Sequence, residues 1–383
     1  MVPEGMLTLF SACDRYLPHT DKPVGNRQRS KQRGCPTFGQ SKRVINPGIF
    51  NGHVTGPASD ASPPPLSDRF LTMHTLTDDG TRLFLSRMGD RGSPPLILAH
   101  GTFSNQRSCA PLASHLAARG WQCWLFDWRG HGHSDTPRRS FDFETLAMQD
   151  VPAVLRAVEE NCAPLRPFWL GHSAGAVIAA MWLARQAPAC ERLAGLQMLA
   201  AQASSRQRSW AMQQKIRLIS CLLPLRRQIA SHWMPLATEA ESSRLLRQWC
   251  RWNLQGRMQG KDGFDYLAAL GRQQLPVLAL AGGGDDFISP ADGCQRLLDS
   301  FGSTNKRYVL CSQAQGFVED YSHERLLLSK NAKNEIWPLL ENWLHQHMAR
   351  SEPEPSSKQN SLLLTPTSRV TVLADSGSNG QHQ

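Results

Sequence analysis

Residues 167–178 read Pro167-Phe168-Trp169-Leu170-Gly171-His172-Ser173-Ala174-Gly175-Ala176-Val177-Ile178. Their reading decides the fold. A short apolar run bounded by proline is a buried strand. Ala174 opens a long run without Pro or polar interruption, which is a buried helix. A turn tight enough to join them leaves no room for side chains on either flank, hence Gly171 and Gly175. Such a strand–turn–helix holds Ser173 above the sheet edge, and the amide after it points at whatever the serine touches.

Outward from this turn the same rhythm repeats. Segments 70–76 and 82–87 predict a hairpin around Asp78-Asp79-Gly80. Segments 95–99, 121–126, 167–171, 193–200, 276–281 and 306–311 predict strands. Helices are expected over 106–119, 142–161, 174–187 and 331–347. Alternating strands and helices predict an α/β fold with a mostly parallel central sheet and helices on both faces.

Residues 204–272 break the rhythm. They are helical in pattern and carry Trp210, Trp233, Trp249 and Trp252 without a strong strand. They predict a helical cap over the carboxyl edge of the sheet, the edge where ligands bind in such sheets. The core is then 67–203 with 273–350. Residues 1–66 and 351–383 are rich in Pro, Gly, Ser and Gln, and are expected to be disordered extensions.

The chain has 383 residues and a formal charge of +10. The charge is concentrated: the cap segment holds twelve Lys and Arg against four Asp and Glu. A solvated helix face is the plainer reading; attraction of anionic substrates or lipid headgroups is the functional one. No strand interleaves basic and aromatic residues as single-strand binders do, so nucleic acid is not an expected partner. The ten Cys include no Cys-x-x-Cys pair, which signals neither a zinc ribbon nor a redox motif. No apolar run reaches the roughly 18 residues of a membrane span. The start of the chain lacks the pattern of a secretory signal. A cytoplasmic protein is expected.

A serine hydroxyl is a weak nucleophile and needs a base. Among thirteen His, His323 in Asp320-Tyr321-Ser322-His323-Glu324 lies after the last strand and before the final helix, where that base belongs. His172 is read as a packing residue. The acid that orients the base is expected in Gly282-Gly283-Gly284-Asp285-Asp286-Phe287, after strand 276–281. Asp286 is favoured, with Asp285 as a turn or capping residue. His100-Gly101-Thr102-Phe103 follows strand 95–99 and supplies a second amide for an oxyanion, Thr102 ahead of Phe103; the first is Ala174. Asp127-Trp128-Arg129-Gly130-His131-Gly132-His133-Ser134 is read as a structural loop bracing the nucleophile turn.

Taken in order, His-Gly-Thr-Phe-Ser, Asp-Trp-Arg-Gly-His-Gly-His-Ser, Gly-His-Ser-Ala-Gly, Gly-Gly-Asp-Asp-Phe-Ile-Ser-Pro and Tyr-Ser-His-Glu resemble the α/β-hydrolase superfamily with a helical cap, over about residues 68–349. The resemblance implies two-step acyl transfer: Ser173 attacks a carbonyl, His323 shuttles the proton, Asp286 orients His323, and water resolves the acyl-enzyme. It implies no metal or organic cofactor. Serine rather than aspartate at the turn favours an ester, thioester or amide over the substrates of haloalkane dehalogenases and epoxide hydrolases. An acyltransferase shares every motif, and a non-catalytic binding module is the third alternative.

Overall fold

The computed structural model describes residues 70–348, apart from 188–189, 203, 206–207 and 232–236. The two expected disordered extensions, and Trp233, lie outside the described residues. Eight strands form one sheet: β1 (Phe70–Leu76), β2 (Arg82–Met88), β3 (Pro95–Ala99), β4 (Gln122–Asp127), β5 (Phe168–His172), β6 (Gly195–Leu199), β9 (Val277–Gly282) and β10 (Lys306–Cys311). β7 (Gln228–Ile229) and β8 (Glu241–Ser242) form a separate two-stranded pair. The spatial order of the large sheet is β1-β2-β4-β3-β5-β6-β9-β10. β1, β2 and β4 pair antiparallel, and every later pairing is parallel.

The strand positions follow the sequence pattern within a residue or two. β3, β5 and β6 are buried along their whole length. This is what continuous apolar runs mean in a sheet covered on both faces. The longer helices are α1 (Ala110–Ala117), α2 (Val151–Cys162), α3 (Ala174–Arg185), α4 (Trp210–Leu222), α5 (Ser243–Gln255), α6 (Ala291–Asp299) and α7 (Ala332–Met348). The helix expected over 142–161 begins earlier than α2, as one turn at Phe143–Thr145 followed by a π-helical stretch, Leu146–Asp150. Asp142 caps it by accepting from the Thr145 amide. α3 is buried from Ala174 to Ala184, so it carries no polar stripe.

Two apolar layers sandwich the sheet, one with α2 and α3, the other with α1 and α7. A third, smaller cluster joins Phe103 to Ile216, Ile219, Leu223, Ile229 and Cys250. It fastens the helices inserted between β6 and β9 onto the loop after β3. The high tryptophan content goes mainly into packing: Trp121, Trp124, Trp128, Trp169, Trp182, Trp252 and Trp343 are nearly or wholly inaccessible. Cys109, Cys123, Cys162, Cys250, Cys294 and Cys311 are buried free thiols. Among the described residues no helix is long and apolar enough to cross a membrane.

Candidate active site

The turn after β5 is built as its spacing demands. A Cβ on Gly171 would stand 2.3 Å from the Ala176 nitrogen, and one on Gly175 would stand 2.4 Å from the Ala99 carbonyl oxygen. Both positions therefore exclude any side chain. Between them Ser173 takes φ 53° and ψ −123°, a strained conformation for a residue with a Cβ. The strain is held by its surroundings. Ser173 N–H donates to the Leu199 carbonyl at 2.7 Å, and the Trp169 indole donates to the Gly175 carbonyl at 3.0 Å.

His323 lies in the loop after β10, and its Nδ1 is 2.6 Å from Asp285 Oδ2. The expectation of Asp286 as the partner is corrected here. Asp286 is exposed and makes no hydrogen bond to His323; Asp285 is buried and does. The turn role expected of Asp285 is also real, because its two oxygens divide the work. Oδ1 accepts the amides of Ile288 and Ser289, each at 3.0 Å, and Oδ2 takes the imidazole. Burial opposes charge on both partners, but their mutual attraction prevails. The Asp285 pKa is held below the usual carboxylate value, and that of His323 is raised above the usual 6.5.

His172 is more than packing. Its Nε2–H donates to the His323 carbonyl at 2.9 Å, and the two rings lie 4.9 Å apart. Burial, and then the charge on His323, push the His172 pKa down to about 3, so it stays neutral and supports the loop of His323 as a donor. Ser173 Oγ and His323 Nε2 make no hydrogen bond, to each other or to other described residues. Such contacts tighten when substrate binds.

The loop after β3 faces the serine. A Cβ on Gly101 would come within 3.1 Å of Ser173 Cβ. Phe103 has φ 58°, and its amide donates to Glu241 Oε2 at 3.3 Å. With the Phe103 amide engaged in this way, the Thr102 amide before it has no partner among the described residues. Ala174 N–H, at the start of α3, likewise has none. The Phe103 carbonyl accepts from the amides of Thr238 and Glu239. Asn105 donates to Glu239 Oε1 at 2.6 Å. The inserted segment thus grips residues 103–105 from above.

The Asp127–Ser134 loop is structural, but it braces the segment after β3 rather than the turn at Ser173. Asp127 accepts from the Gln106 amide, the Gln106 side chain and the His133 amide. Gly132 is required because a Cβ there would meet the Asp127 carboxylate at 2.1 Å. Arg129 pairs with Asp150 and Asp79, each at 2.6 Å. His131 Nε2 lies 3.3 Å from Glu241 Oε2, with both side chains wholly inaccessible. Burial lowers the tendency of His131 to charge, yet Glu241 outweighs it and the pKa is raised. Sequence reasoning missed Glu241, which is distant in the chain and sits in a segment read only as helical.

A mostly apolar cavity of about 90 Å³ opens at Ser173. Its walls include Phe103 and Val177 from the core, Leu245 and Trp249 from α5, Ile219 from α4, and Phe287. Among the described residues no group of three or more His, Cys, Asp or Glu is arranged to hold a metal.

Comparison with known proteins places this geometry. A family profile described as serine aminopeptidase, S33, matches residues 94–315, more than half of the chain. A non-heme chloroperoxidase of Streptomyces lividans is 31% identical over 112 residues, 29% of this chain and 39% of that protein. The AB hydrolase superfamily protein YisY of Bacillus subtilis is 32% identical over 109 residues, 28% of this chain and 38% of that one. The chain thus spans about two fifths of the length of these curated relatives. A monoacylglycerol lipase of Paleococcus ferrophilus superposes with a TM-score of 0.51 at 18% identity, covering 69% of this chain and 99% of the other. A soluble variant of the monoglyceride lipase of Saccharomyces cerevisiae gives 0.54 at 16% identity, over 72% and 95%. At these identities the structural likeness shows the fold. With the matched profile spanning every strand from β3 to β10, the chain belongs to the S33 serine aminopeptidase family of α/β-hydrolases.

Proposed function

We propose that the protein is a serine hydrolase that cleaves a carboxylic ester or thioester with a moderately apolar acyl group. The observation that carries this reading is the buried 2.6 Å contact of His323 with Asp285, beside a serine on a strained turn. In this mechanism Ser173 Oγ attacks the carbonyl carbon while His323 Nε2 takes its proton. The carbonyl π pair moves to oxygen, where the Thr102 and Ala174 amides stabilise it. Collapse expels the alkoxide or thiolate, which receives the proton from His323. Water, deprotonated by the same imidazole, then attacks the acyl-enzyme and releases the acid. Asp285 fixes the Nδ1–H tautomer and stabilises the imidazolium between these steps.

The inserted helices act as the cap in this reading, because α4 and α5 supply Ile219, Leu245, Leu246, Trp249 and Cys250 to the apolar wall at Ser173. Their basic surface favours substrates with an anionic end, such as a lysophospholipid or acyl-CoA, and peripheral contact with anionic lipid. The acyltransferase alternative shares the acyl-enzyme and differs in the acceptor. Product analysis with added alcohols separates the two. The central test is labelling with a fluorophosphonate probe and peptide mapping. Adduct at Ser173, lost in Ser173→Ala along with hydrolysis of p-nitrophenyl esters, is the expected result. Equal hydrolysis by both proteins removes the proposal; no adduct and no hydrolysis by the wild type leaves a binding module.

A further inference from the structure

Helix α5 has two working faces. Leu245, Leu246, Trp249 and Cys250 line the cavity at Ser173. Arg244, Arg247 and Arg251, spaced i, i+3 and i+7, occupy the other side, as helical periodicity requires. There they meet Arg226 and Arg227, from the segment after α4, and Lys261, from the loop beyond α5. Together they line an open basin of about 900 Å³. That size accommodates a small-molecule ligand.

The charge in this basin is not balanced from within. Asp142 is the one carboxylate in its wall, and it pairs with both Arg244 and Lys261. Arg227 and Arg251 donate to the neutral carbonyls of Pro137 and Gln259, at 2.9 and 3.0 Å, which orients them without cancelling their charge. Arg247 is exposed and makes no hydrogen bond or ion pair among the described residues. The Ser243 hydroxyl, in the same wall and buried, also has no partner. Five guanidinium groups converging on one concavity suit an anion with several oxygens, since each fork can engage a phosphate bidentately.

We propose that this basin binds a soluble polyanion carrying two or more linked phosphates, such as a nucleoside di- or triphosphate. A concave site favours such a ligand over a bilayer, because a flat headgroup surface does not reach buried Ser243 and Asp142. The proposal is independent of the reaction at Ser173, from which α5 separates the basin.

The test is calorimetric titration of the full chain with inorganic pyrophosphate, ATP and inorganic phosphate at about 0.15 M ionic strength. Saturable binding of pyrophosphate and ATP at one site, at least about tenfold tighter than inorganic phosphate, is expected from multiple forks on linked phosphates. The variant Arg247→Glu should weaken it at least about tenfold, while its melting temperature and labelling at Ser173 stay unchanged. The neutral variant Arg247→Gln should fall between, which separates charge from misfolding. Absence of saturable binding, or equal affinity in the charge-reversed protein, overturns the proposal. So does sedimentation with phosphatidylserine vesicles that excess pyrophosphate fails to release but the charge-reversed protein loses, which would make the basin a membrane surface.

Discussion

Two buried histidine–carboxylate pairs flank Ser173, and they are built for different tasks. In one, His323 meets Asp285 at 2.6 Å through Nδ1, and the carboxylate is pinned by two backbone amides of its own turn. In the other, His131 approaches Glu241 at 3.3 Å through Nε2, while its Nδ1 lies 3.2 Å from the Arg129 carbonyl. The first pair leaves an imidazole nitrogen available to a reacting group. In the second, Nδ1 meets the Arg129 carbonyl, Nε2 lies in ion-pair range of the carboxylate without an aligned hydrogen bond, and that carboxylate holds the Phe103 amide. In the proposed reading, a histidine with a carboxylate thus serves proton transfer in one pair and loop positioning in the other. What differs is which ring nitrogen the carboxylate occupies and what else that carboxylate holds.

Under the proposed mechanism this contrast is open to a graded series of tests. Ser173→Ala should have the largest effect, a loss on the order of 10⁶ in kcat for a model ester, read by steady-state kinetics with the fold checked by circular dichroism. Asp285→Asn should cost about 10⁴ in kcat by disfavouring the required tautomer, whereas Asp286→Asn should stay near wild type. The reverse ranking would reassign the acid. Glu241→Gln should lower kcat about 10–100-fold with a small change in KM, since the Phe103 loop shifts while the base remains. The rescue expected from Glu241→Asp is at most partial, because the shorter side chain reaches less far toward Phe103.

The pairs also differ in what pH does to them. His323 works as a base only when neutral, and its pKa is raised. The acid limb of kcat/KM should therefore have its midpoint above 6.5, and activity should fall as pH drops through it. His131 bears on stability instead. Its folded-state pKa is raised above the usual 6.5, so the stabilisation from Glu241 is complete below that value and fades as pH rises through the folded one. Breaking this buried pair should cost about 3–5 kcal/mol where His131 is charged. The melting-temperature gap between wild type and Glu241→Gln should accordingly narrow from mildly acidic to alkaline pH. A gap that stays constant with pH would mean that Glu241 acts on Phe103 alone.

The sheet was legible because buried parallel strands announce themselves as short apolar runs, and β3, β5 and β9 appear within a residue of where the pattern puts them. The serine turn was legible for a steric reason: Gly171 and Gly175 are excluded from having side chains by atoms nearby in the chain or in the adjacent strand. The carboxylate that meets His323 lies one position before the one the sequence favours, because a turn role and a partner role read as alternatives there. In Asp285 one oxygen does each. An Asp whose side chain accepts amides three and four residues on is a local signature, and it was the available clue.

Glu241 had no such clue. Its importance comes from meeting Phe103 and His131 across more than a hundred residues of chain. The chain order of residues thus determined the strand–turn–helix, the serine and the histidine, because each depends on backbone spacing within a few residues. Tertiary structure alone decided which carboxylate faces each imidazole and that the Phe103 amide is held by Glu241. Those choices depend on contacts between segments that the sequence leaves far apart.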